Sequence, residues 1–524
     1  MYITIGNIPK DIRRKPSRHA QLLIGYIPVT KLGNITSKAA RRRALANLFH
    51  SCMQTIVAPI TKYGEIGIAM MSGDGRWHQC HPVFALFIGD YPEQTLVTCT
   101  YNGQCPKCVV PADQLGDYLR FPLRDYNQAR ATFLLADGDV HAFHAACRDA
   151  GIKPVFHPFW EHLPLTDAFL SITPDILHQM LQGVVKHLIA WLTSPAVFGP
   201  DGIDARCQML PPNHHIRTFP NGITTLSRIS GQEHKDICRI LLGLIVDLPL
   251  PSRQVTSRIV RTVLALLDFL YLAQLPSQTT NTMLWLENSL DRFHQNKAVF
   301  LDLGARAHFN IPKLHSLVHY GMSISLFGTT DNYNTEQTER LHIELTKDAY
   351  RATNRKDEYR QMTTWLERRE KVQQHTAFLA WRRRAGQESA ITSKTIGPPI
   401  PTPRSVKMAR NPSAKAVSFD DLARRYGAAY FQDALADFVA HINYPDASAA
   451  ARRARAADTL IPFRAVPVYH KIKFTSNATL DIIDAVHVRP EQRDIHGRIV
   501  PSRFDTVIIE GLSPGRVCGN GGES

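Results

Sequence analysis

Short apolar runs near the start of the chain give way to longer segments with helical spacing. Tyr2 to Ile5 and Ala20 to Ile27 predict two β segments joined by a basic turn. From Lys38 to Thr61 apolar residues recur every three or four positions, which predicts an amphipathic helix. Ile66 to Met71 and Val83 to Ile88 flank an SGDG turn and predict a β-hairpin. This pattern predicts an α/β fold.

The apolar run from Phe84 to Ile88 predicts a buried strand, because it is too short for a helix and Gly89 follows it. Asp90 stands at the end of this strand, where open α/β sheets bind ligands. The carboxylate either caps the next turn or binds a metal ion. The pattern leaves both readings open.

The remaining chain is mainly helical until a Pro-rich segment, GPPIPTP, which is typical of a linker. A charged helix after Thr335 is predicted to break near Thr353 and Asn354. The predicted divisions are a first core part (1–110), a mainly helical insertion (111–300), a last core part with the acidic helix (301–383), a linker (384–415) and an α+β module with a disordered tail (416–524).

Charge and cysteine content narrow the functional classes. The 524 residues include 61 Lys and Arg against 46 Asp and Glu, a net charge of +15, which favours a polyanionic partner. Nine cysteines with one close pair are unlike a secreted disulfide framework. No signal peptide or apolar membrane span is readable. We therefore expect a soluble nuclear or cytoplasmic protein.

Cys105 and Cys108 form a CxxC pair that suits half of a tetrahedral zinc site. His178 and His187 are the proposed further ligands. They lie nine residues apart on one predicted helix and point to different sides, so His178 is preferred. A hydrogen-bonded histidine on a partly buried face remains the alternative for His178.

A second set of candidates comes from the last third of the predicted core. Glu336 and Glu339 share a helix face and are candidate metal-binding acids, or simply part of a solvated charged helix. His315 and His319 have i, i+4 spacing that could hold a metal, but phosphate contact or packing is favoured without an HExxH motif. The predicted DNA-binding residues are Arg41, Arg42, Arg43, His315, His319, Arg340, Arg351, Arg355 and Lys356. The chain has no P-loop, GxGxxG or GxSxG motif, so the usual nucleotide-binding and hydrolase signatures are missing.

Several long motifs carry a family resemblance. They are GDYPEQTLVTCTYNGQCPKC, LLADGDVHAFH, FLSITPDILHQMLQGVVKHLI, SGQEHK, FNIPKLHSLVHY and TDNYNTEQTERLHIELTKDAYRATNRKDEY. From about Met1 to His375 the chain resembles the Plavaka transposases of basidiomycete fungi, which are related to the CACTA-type DDE transposases. The resemblance implies an RNase H-like core with three carboxylates and a helical insertion before the last one.

The resemblance also assigns residues. Asp90 matches the second acid, Cys105 and Cys108 match the family's CxxC, and Asp175 with His178 match a DxxH-like element. The last acid falls in TEQTERLH, where Glu339 is favoured and Glu336 is second. Such acids would hold two Mg²⁺ or Mn²⁺ ions for phosphodiester cleavage and strand transfer at the transposon ends. Zn²⁺ is the possible structural ion, and a homo-oligomer is possible.

The family's first aspartate lies on a strand that would fall before Met1. The sequence therefore predicts an N-terminally truncated, inactive copy of a DDE-type transposase. Asp74 is the one nearby residue that we considered as a replacement. Two alternatives remain: a nucleic-acid-binding or structural remnant without catalysis, and a zinc-dependent scaffold for protein partners.

Overall fold

The computed structural model describes residues 1–15, 18–211, 216–247, 250, 252–388, 405–409, 411–445, 447–475, 482–493 and 497–505. The chain divides into two compact units, Met1–Ser389 and Ala390–Ser524. Helices dominate and the sheets are small, so the predicted mixed α/β class is confirmed. The predicted linker motif at 397–403 and the tail at 517–524 lie outside the described residues.

The first unit begins with a small antiparallel sheet. Strand β1 (Tyr2–Thr4) pairs with β2 (Gln21–Leu23), and helix α1 (Lys10–Arg13) lies between them in the chain. Helix α2 (Lys38–Ile66) starts where Ser37 accepts a hydrogen bond from the Ala40 amide, and it ends at a glycine with positive φ. The two predicted β segments and the predicted helix are confirmed.

The predicted hairpin forms with a different second strand. Strand β3 (Ile68–Met71) pairs with β4 (Trp77–Cys80), with Met71 opposite Trp77. A turn with Gly75 at φ +80° closes the hairpin before Val83 is reached, so the pairing predicted for Val83 to Ile88 is wrong. The run Phe84 to Ile88 contributes one parallel bridge, between Phe87 and Ile172.

The helices that follow carry most of the first unit. They are α3 (Tyr91–Val97), a 3₁₀ turn (Ala112–Gln114), α4 (Tyr126–Phe133), α5 (Val140–Asp149), a π-helical segment (Ile176–Val185), α6 (Lys186–Leu192), α7 (Gly199–Met209), α8 (Gly231–Ile245), α9 (Arg253–Ala273), α10 (Thr280–Asn296) and α11 (Val299–Asp302). Next come α12 (Pro312–His315), a 3₁₀ turn (Ser316–His319), α13 (Tyr320–Phe327), a 3₁₀ turn (Thr330–Asn332), α14 (Glu336–His342), a π turn (Ile343–Lys347), α15 (Asp348–Arg351) and α16 (Glu358–Glu388). The predicted break near Thr353 is confirmed.

Two large apolar clusters form the interior of the first unit. One joins α2, α4 and α5 around Trp160, whose indole N–H donates to the Val97 carbonyl at 2.7 Å. The other joins the π-helical segment to α6, α8, α9 and α10. Asp90 follows Phe87 of the first cluster, and Asp175 directly precedes Ile176 of the second. Both carboxylates thus lie next to buried apolar clusters.

The second unit contains its own strands and helices. Its largest sheet has the order β12 (Arg503–Phe504), β9 (Ile482–Arg489), β8 (Lys471–Thr475) and β5 (Ser405–Met408), all antiparallel. Two strand pairs, β6 (Ala414–Ser418) with β7 (Ala465–Val468) and β10 (Gln492–Arg493) with β11 (Ile499–Val500), and helices α17 (Phe419–Arg425), α18 (Phe431–Asn443) and α19 (Ala449–Ala457) complete it. Across the described residues of both units, no helix combines the length and apolar character that crossing a bilayer requires.

A substitution at Gly64 tests how closely α2 packs against Pro82 and Pro164. A Cβ at Gly64 would lie 2.5 Å from Pro164 Cγ and 3.0 Å from the Pro82 carbonyl oxygen. We therefore expect Gly64→Ala to lower the free energy of unfolding by about 1–3 kcal/mol in urea denaturation. Gly243→Ala is the matched control, because Gly243 is helical with no neighbour within 4 Å, and it should gain about 0.5–1 kcal/mol. Equal effects of the two substitutions would contradict the packing described.

Candidate functional site

Asp175 is a buried carboxylate that joins two helices. It is 1% exposed, and its Oδ2 accepts hydrogen bonds from the His178 amide at 2.8 Å and the Thr335 hydroxyl at 2.7 Å. Its Oδ1 accepts from the Thr335 amide at 3.1 Å, and its backbone carbonyl accepts from the Tyr320 hydroxyl at 3.3 Å. Asp175 therefore caps the π-helical segment and holds the start of α14 against it.

His178 connects this anchor to the acidic helix. Its Nδ1 lies 2.8 Å from Asp175 Oδ2, and its Nε2 lies 2.9 Å from Glu339 Oε1. Glu336 has a different partner, since Lys235 Nζ lies 2.6 Å from its Oε1. The side chain of Glu339 is 54% exposed, against 30% for Glu336. Of the two acids, Glu339 is thus the one that faces both His178 and solvent.

Asp90 also belongs to the surroundings of His178. Burial acts to lower the pKa of His178, but the hydrogen bond to Asp175 and the charges of Asp175, Glu339 and Asp90 raise it above its usual value. Asp90 Oδ1 accepts the Glu93 amide at 3.0 Å and so caps α3. The predicted capping role of Asp90 is confirmed, and this role uses only one of its two carboxylate oxygens. Three carboxylates therefore act on a single imidazole.

Glu93 is an acid that the sequence analysis missed. A Cβ on Gly89 would lie 2.5 Å from Glu93 Oε2, so the carboxyl folds back toward the Asp90 end of α3. Burial raises the pKa of Glu93, and the charge of Asp90 raises it further. An acid in the first turn of a helix is common, so its position in the sequence gave no signal. Asp74, in contrast, lies on the exposed β3–β4 turn, where it pairs with Arg76 at 3.6 Å.

Cys105, Cys108, His315 and His319 form a compact cluster. One ligand atom from each residue lies within 4.8 Å of the others. Cys108 Sγ is 3.1 Å from His315 Nε2, and Cys105 Sγ is 3.3 Å from His319 Nε2. All four side chains are buried. Two thiols and two imidazoles are the donor set of a structural zinc site, so these residues fit Zn²⁺.

Ionisation within the cysteine pair is uneven. Burial opposes ionisation of Cys105, but hydrogen bonds from Cys108, His315 and His319 lower the pKa of Cys105 well below its ordinary value. The hydrogen bond to Cys105 and burial raise the pKa of Cys108. Because the thiolate is the form that binds metal, a metal ion bound by both cysteines would release the protons that the pair still holds.

The histidines in this cluster differ from the predicted pair. His178 is held by Asp175 and Glu339, and the ring of His187 stacks on Trp191 at 6.4 Å. Neither is brought to the cysteines. His315 ends α12 and His319 ends the following 3₁₀ turn, so their i, i+4 spacing in HSLVH was the available signal.

The structure also corrects the predicted DNA contacts of His315 and His319. Their exposed fractions are 1% and 9%, and both Nε2 atoms face cysteine sulfur. Rings in this position cannot reach an external phosphate. The predicted alternatives, metal binding and packing, remain for both.

The other predicted DNA-binding residues lie mostly on the surface. Arg42, Arg43, Arg340, Arg351, Arg355 and Lys356 are exposed. Arg41 is partly buried and donates to the Ile35 carbonyl at 2.7 Å. Arg355, at φ +62°, and Lys356 belong to a tight turn in which Asn354 Oδ1 accepts the Lys356 amide at 2.9 Å. This turn presents basic side chains on a defined backbone.

Residues 1–192 match the family model described as Plavaka transposase. The predicted resemblance to the Plavaka transposases is confirmed over these residues. The Plavaka region includes Asp90, the CxxC pair, Asp175 and His178, whereas Glu339 and the cluster histidines lie beyond it. No curated protein matches the chain. Residues 1–192 are thus similar to the Plavaka transposase family, and DNA is the partner that this family implies.

Purified protein should contain one zinc ion per chain by elemental analysis. Cys105→Ser and His315→Ala each remove a ligand, so both should lose the zinc and lower the melting temperature. Cys147→Ser is the matched control, because Cys147 is equally buried and lies outside the cluster. Retention of zinc by the Cys105 and His315 variants, or its loss in His178→Ala, would contradict the assignment.

The pH dependence of stability should separate His178 from His187. The raised pKa of His178 means that its stabilising contribution is fully present below about pH 6.5 and is lost as the pH rises through its folded-state pKa. Burial lowers the pKa of His187, and nearby cations lower it further, so its contribution is lost as the pH falls.

Urea denaturation at about pH 6 and pH 8 measures these opposite trends. His178→Gln should be the more harmful substitution at the lower pH, and His187→Gln at the higher one. Parallel pH profiles for the two variants would contradict the described environments.

Proposed function

We propose that the chain derives from a DDE-type transposase and that Asp90 and Glu339 bind a divalent cation, Mg²⁺ or Mn²⁺. Two acids far apart in the sequence support this proposal: Glu339 Oε1 lies 2.9 Å from His178 Nε2, and the charge of Asp90 helps to raise the pKa of the same imidazole. Bound Mg²⁺ or Mn²⁺ would activate an attacking oxygen and stabilise a leaving oxygen at a phosphodiester. Hard cations of this kind prefer carboxylate oxygens.

Partner choice favours Glu339 over Glu336 as the metal-binding acid. Both oxygens of Glu336 contact the Lys235 ammonium, at 2.6 and 2.8 Å, so its charge is already compensated. Glu339 contacts His178 through Oε1, which leaves Oε2 for an ion. The buried Asp175 fixes the ring of His178, and His178 in turn orients the Glu339 carboxylate. This is the arrangement in which outer residues orient metal ligands.

The proposed organisation follows the sequence divisions. Residues 1–110 and 301–383 would supply an RNase H-like core, 111–300 its helical insertion, 384–415 a linker and 416–524 a separate module. The Cys105–His315 cluster would bind zinc for structure rather than catalysis, because all its ligands are buried and a closed four-ligand site leaves no position for substrate. Zinc there would join the loop after α3 to α12.

DNA is the proposed partner. Exposed Arg42, Arg43, Arg340, Arg355 and Lys356 offer phosphate contacts without base specificity. We infer that cleavage is compromised, since Asp90 and Glu339 supply only two of the three acids that a DDE centre uses. Of the other carboxylates nearby, Asp175 already accepts hydrogen bonds from His178 and Thr335, and Glu93 folds back toward Gly89.

Calorimetric titration with Mn²⁺ tests the proposed cation site. Zinc-loaded wild-type protein should bind Mn²⁺, and Asp90→Asn and Glu339→Gln should abolish that binding. His178→Gln should weaken it about 10–100-fold, because the ring orients Glu339. Glu336→Gln is the matched control and should bind as the wild type does. Equal binding by all four variants would overturn the proposed site.

Incubation of the same proteins with labelled transposon-end DNA and Mn²⁺ tests the inferred loss of cleavage. We expect salt-dependent binding without strand cleavage. Efficient cleavage that requires Asp90 would overturn this inference and make Glu93→Gln the next variant to examine.

A further inference from the structure

Three cations without a carboxylate partner lie along the π-helical segment and α6. Lys186, Lys313 and Arg306 form no ion pair with any acid in the part of the chain that the structure describes. Nearby Lys235, in contrast, is paired with Glu336. We call these three residues the basic row.

Lys313 is the member of the basic row next to the acids. Its side chain lies across the π-helical segment, since a Cβ on Gly183 would be 2.6 Å from Lys313 Cδ. Asp175 caps the same π-helical segment, so Lys313 lies against the segment that carries the acidic centre.

The basic row continues along the same helical region. The Arg306 guanidinium lies 5.5 Å from the centre of the Trp191 ring, and the ring of His187 stacks on the same indole. Arg306, Lys313 and Lys186 all lower the pKa of His187, so their charges converge on one imidazole. Lys186 is exposed, while Arg306 and Lys313 are half-buried.

Such an arrangement is electrostatically unfavourable without a counter-charge, because neighbouring like charges repel one another. An anion with several charges along its length would relieve the repulsion at successive positions. Lys313 lies against Gly183, Lys186 begins α6, and Arg306 lies against Trp191 near the end of α6, so the row follows this helical region and matches a strand rather than a single ion.

We propose that Lys313, Lys186 and Arg306 bind consecutive phosphates of a DNA strand that leaves the Asp90–Glu339 centre. This proposal rests on the proposed function and adds a substrate path to it. Lys and Arg contacts of this kind position the backbone and do not select sequence.

Fluorescence anisotropy with a labelled DNA duplex tests the basic row in the full-length, zinc-loaded protein. Each of Lys186→Gln, Lys313→Gln and Arg306→Gln should weaken binding roughly fivefold at about 0.15 M salt and reduce the slope of log K against log salt by about 1. The control is Arg130→Gln with Arg148→Gln, exposed cations on α4 and α5, which should change neither quantity. Melting temperature and zinc content verify that each variant is folded.

The outcomes distinguish the basic row from the cation site. Unchanged DNA affinity and salt slope in the three variants would overturn the row, while Mn²⁺ binding that still requires Asp90 would leave the proposed function intact. The expected combination is that Asp90→Asn loses Mn²⁺ binding, while the three row variants show weaker DNA binding and a smaller salt slope. If a mononucleotide displaced the labelled DNA duplex as well as unlabelled duplex does, the row would be a single-phosphate site. If duplex RNA bound more tightly than duplex DNA through the same three residues, the row would be assigned to RNA. Either result would overturn the proposal.

Discussion

The buried carboxylate of Asp175 is the constraint on which the candidate site depends. Burying a charge is unfavourable unless hydrogen bonds replace the lost water, and here the amides and side chains of His178 and Thr335 supply them. Those two residues belong to helices far apart in the sequence. Satisfying Asp175 therefore brings the start of α14 to the π-helical segment and places Glu339 against the imidazole.

One short segment links this centre to the other candidate sites. Between Pro312 and Tyr320, Lys313 lies across Gly183, two histidines face the cysteine pair, and the Tyr320 hydroxyl donates to the Asp175 carbonyl. A zinc ion in the cluster would fix this segment at one side, and the Asp175 contact fixes it at the other. The proposed structural ion would thus act on the acidic centre through packing and not through chemistry.

Local patterns predicted local structure well. The β segment at Tyr2 to Ile5, the helical spacing of α2 and the break near Thr353 all appear as expected, because each depends on neighbouring residues. The predicted second strand of the hairpin was wrong. The turn at Gly75 pairs β3 with β4, which is nearest in the sequence, and not with the more apolar run from Val83 to Ile88. The partners of the CxxC pair lie some two hundred residues away, and spacing cannot reveal such contacts. Helix spacing left Glu336 and Glu339 equivalent, and only the family resemblance favoured Glu339; in the structure Lys235 pairs with Glu336 and so separates the two acids.

Anomalous diffraction from crystals grown with Mn²⁺ and DNA most directly tests the convergence of Asp90 and Glu339 on one cation. The account predicts a manganese peak bound by oxygens of both carboxylates, with His178 still bonded to the second oxygen of Glu339. A manganese peak elsewhere, or a Glu339 side chain turned away from Asp90 in the bound state, would contradict it.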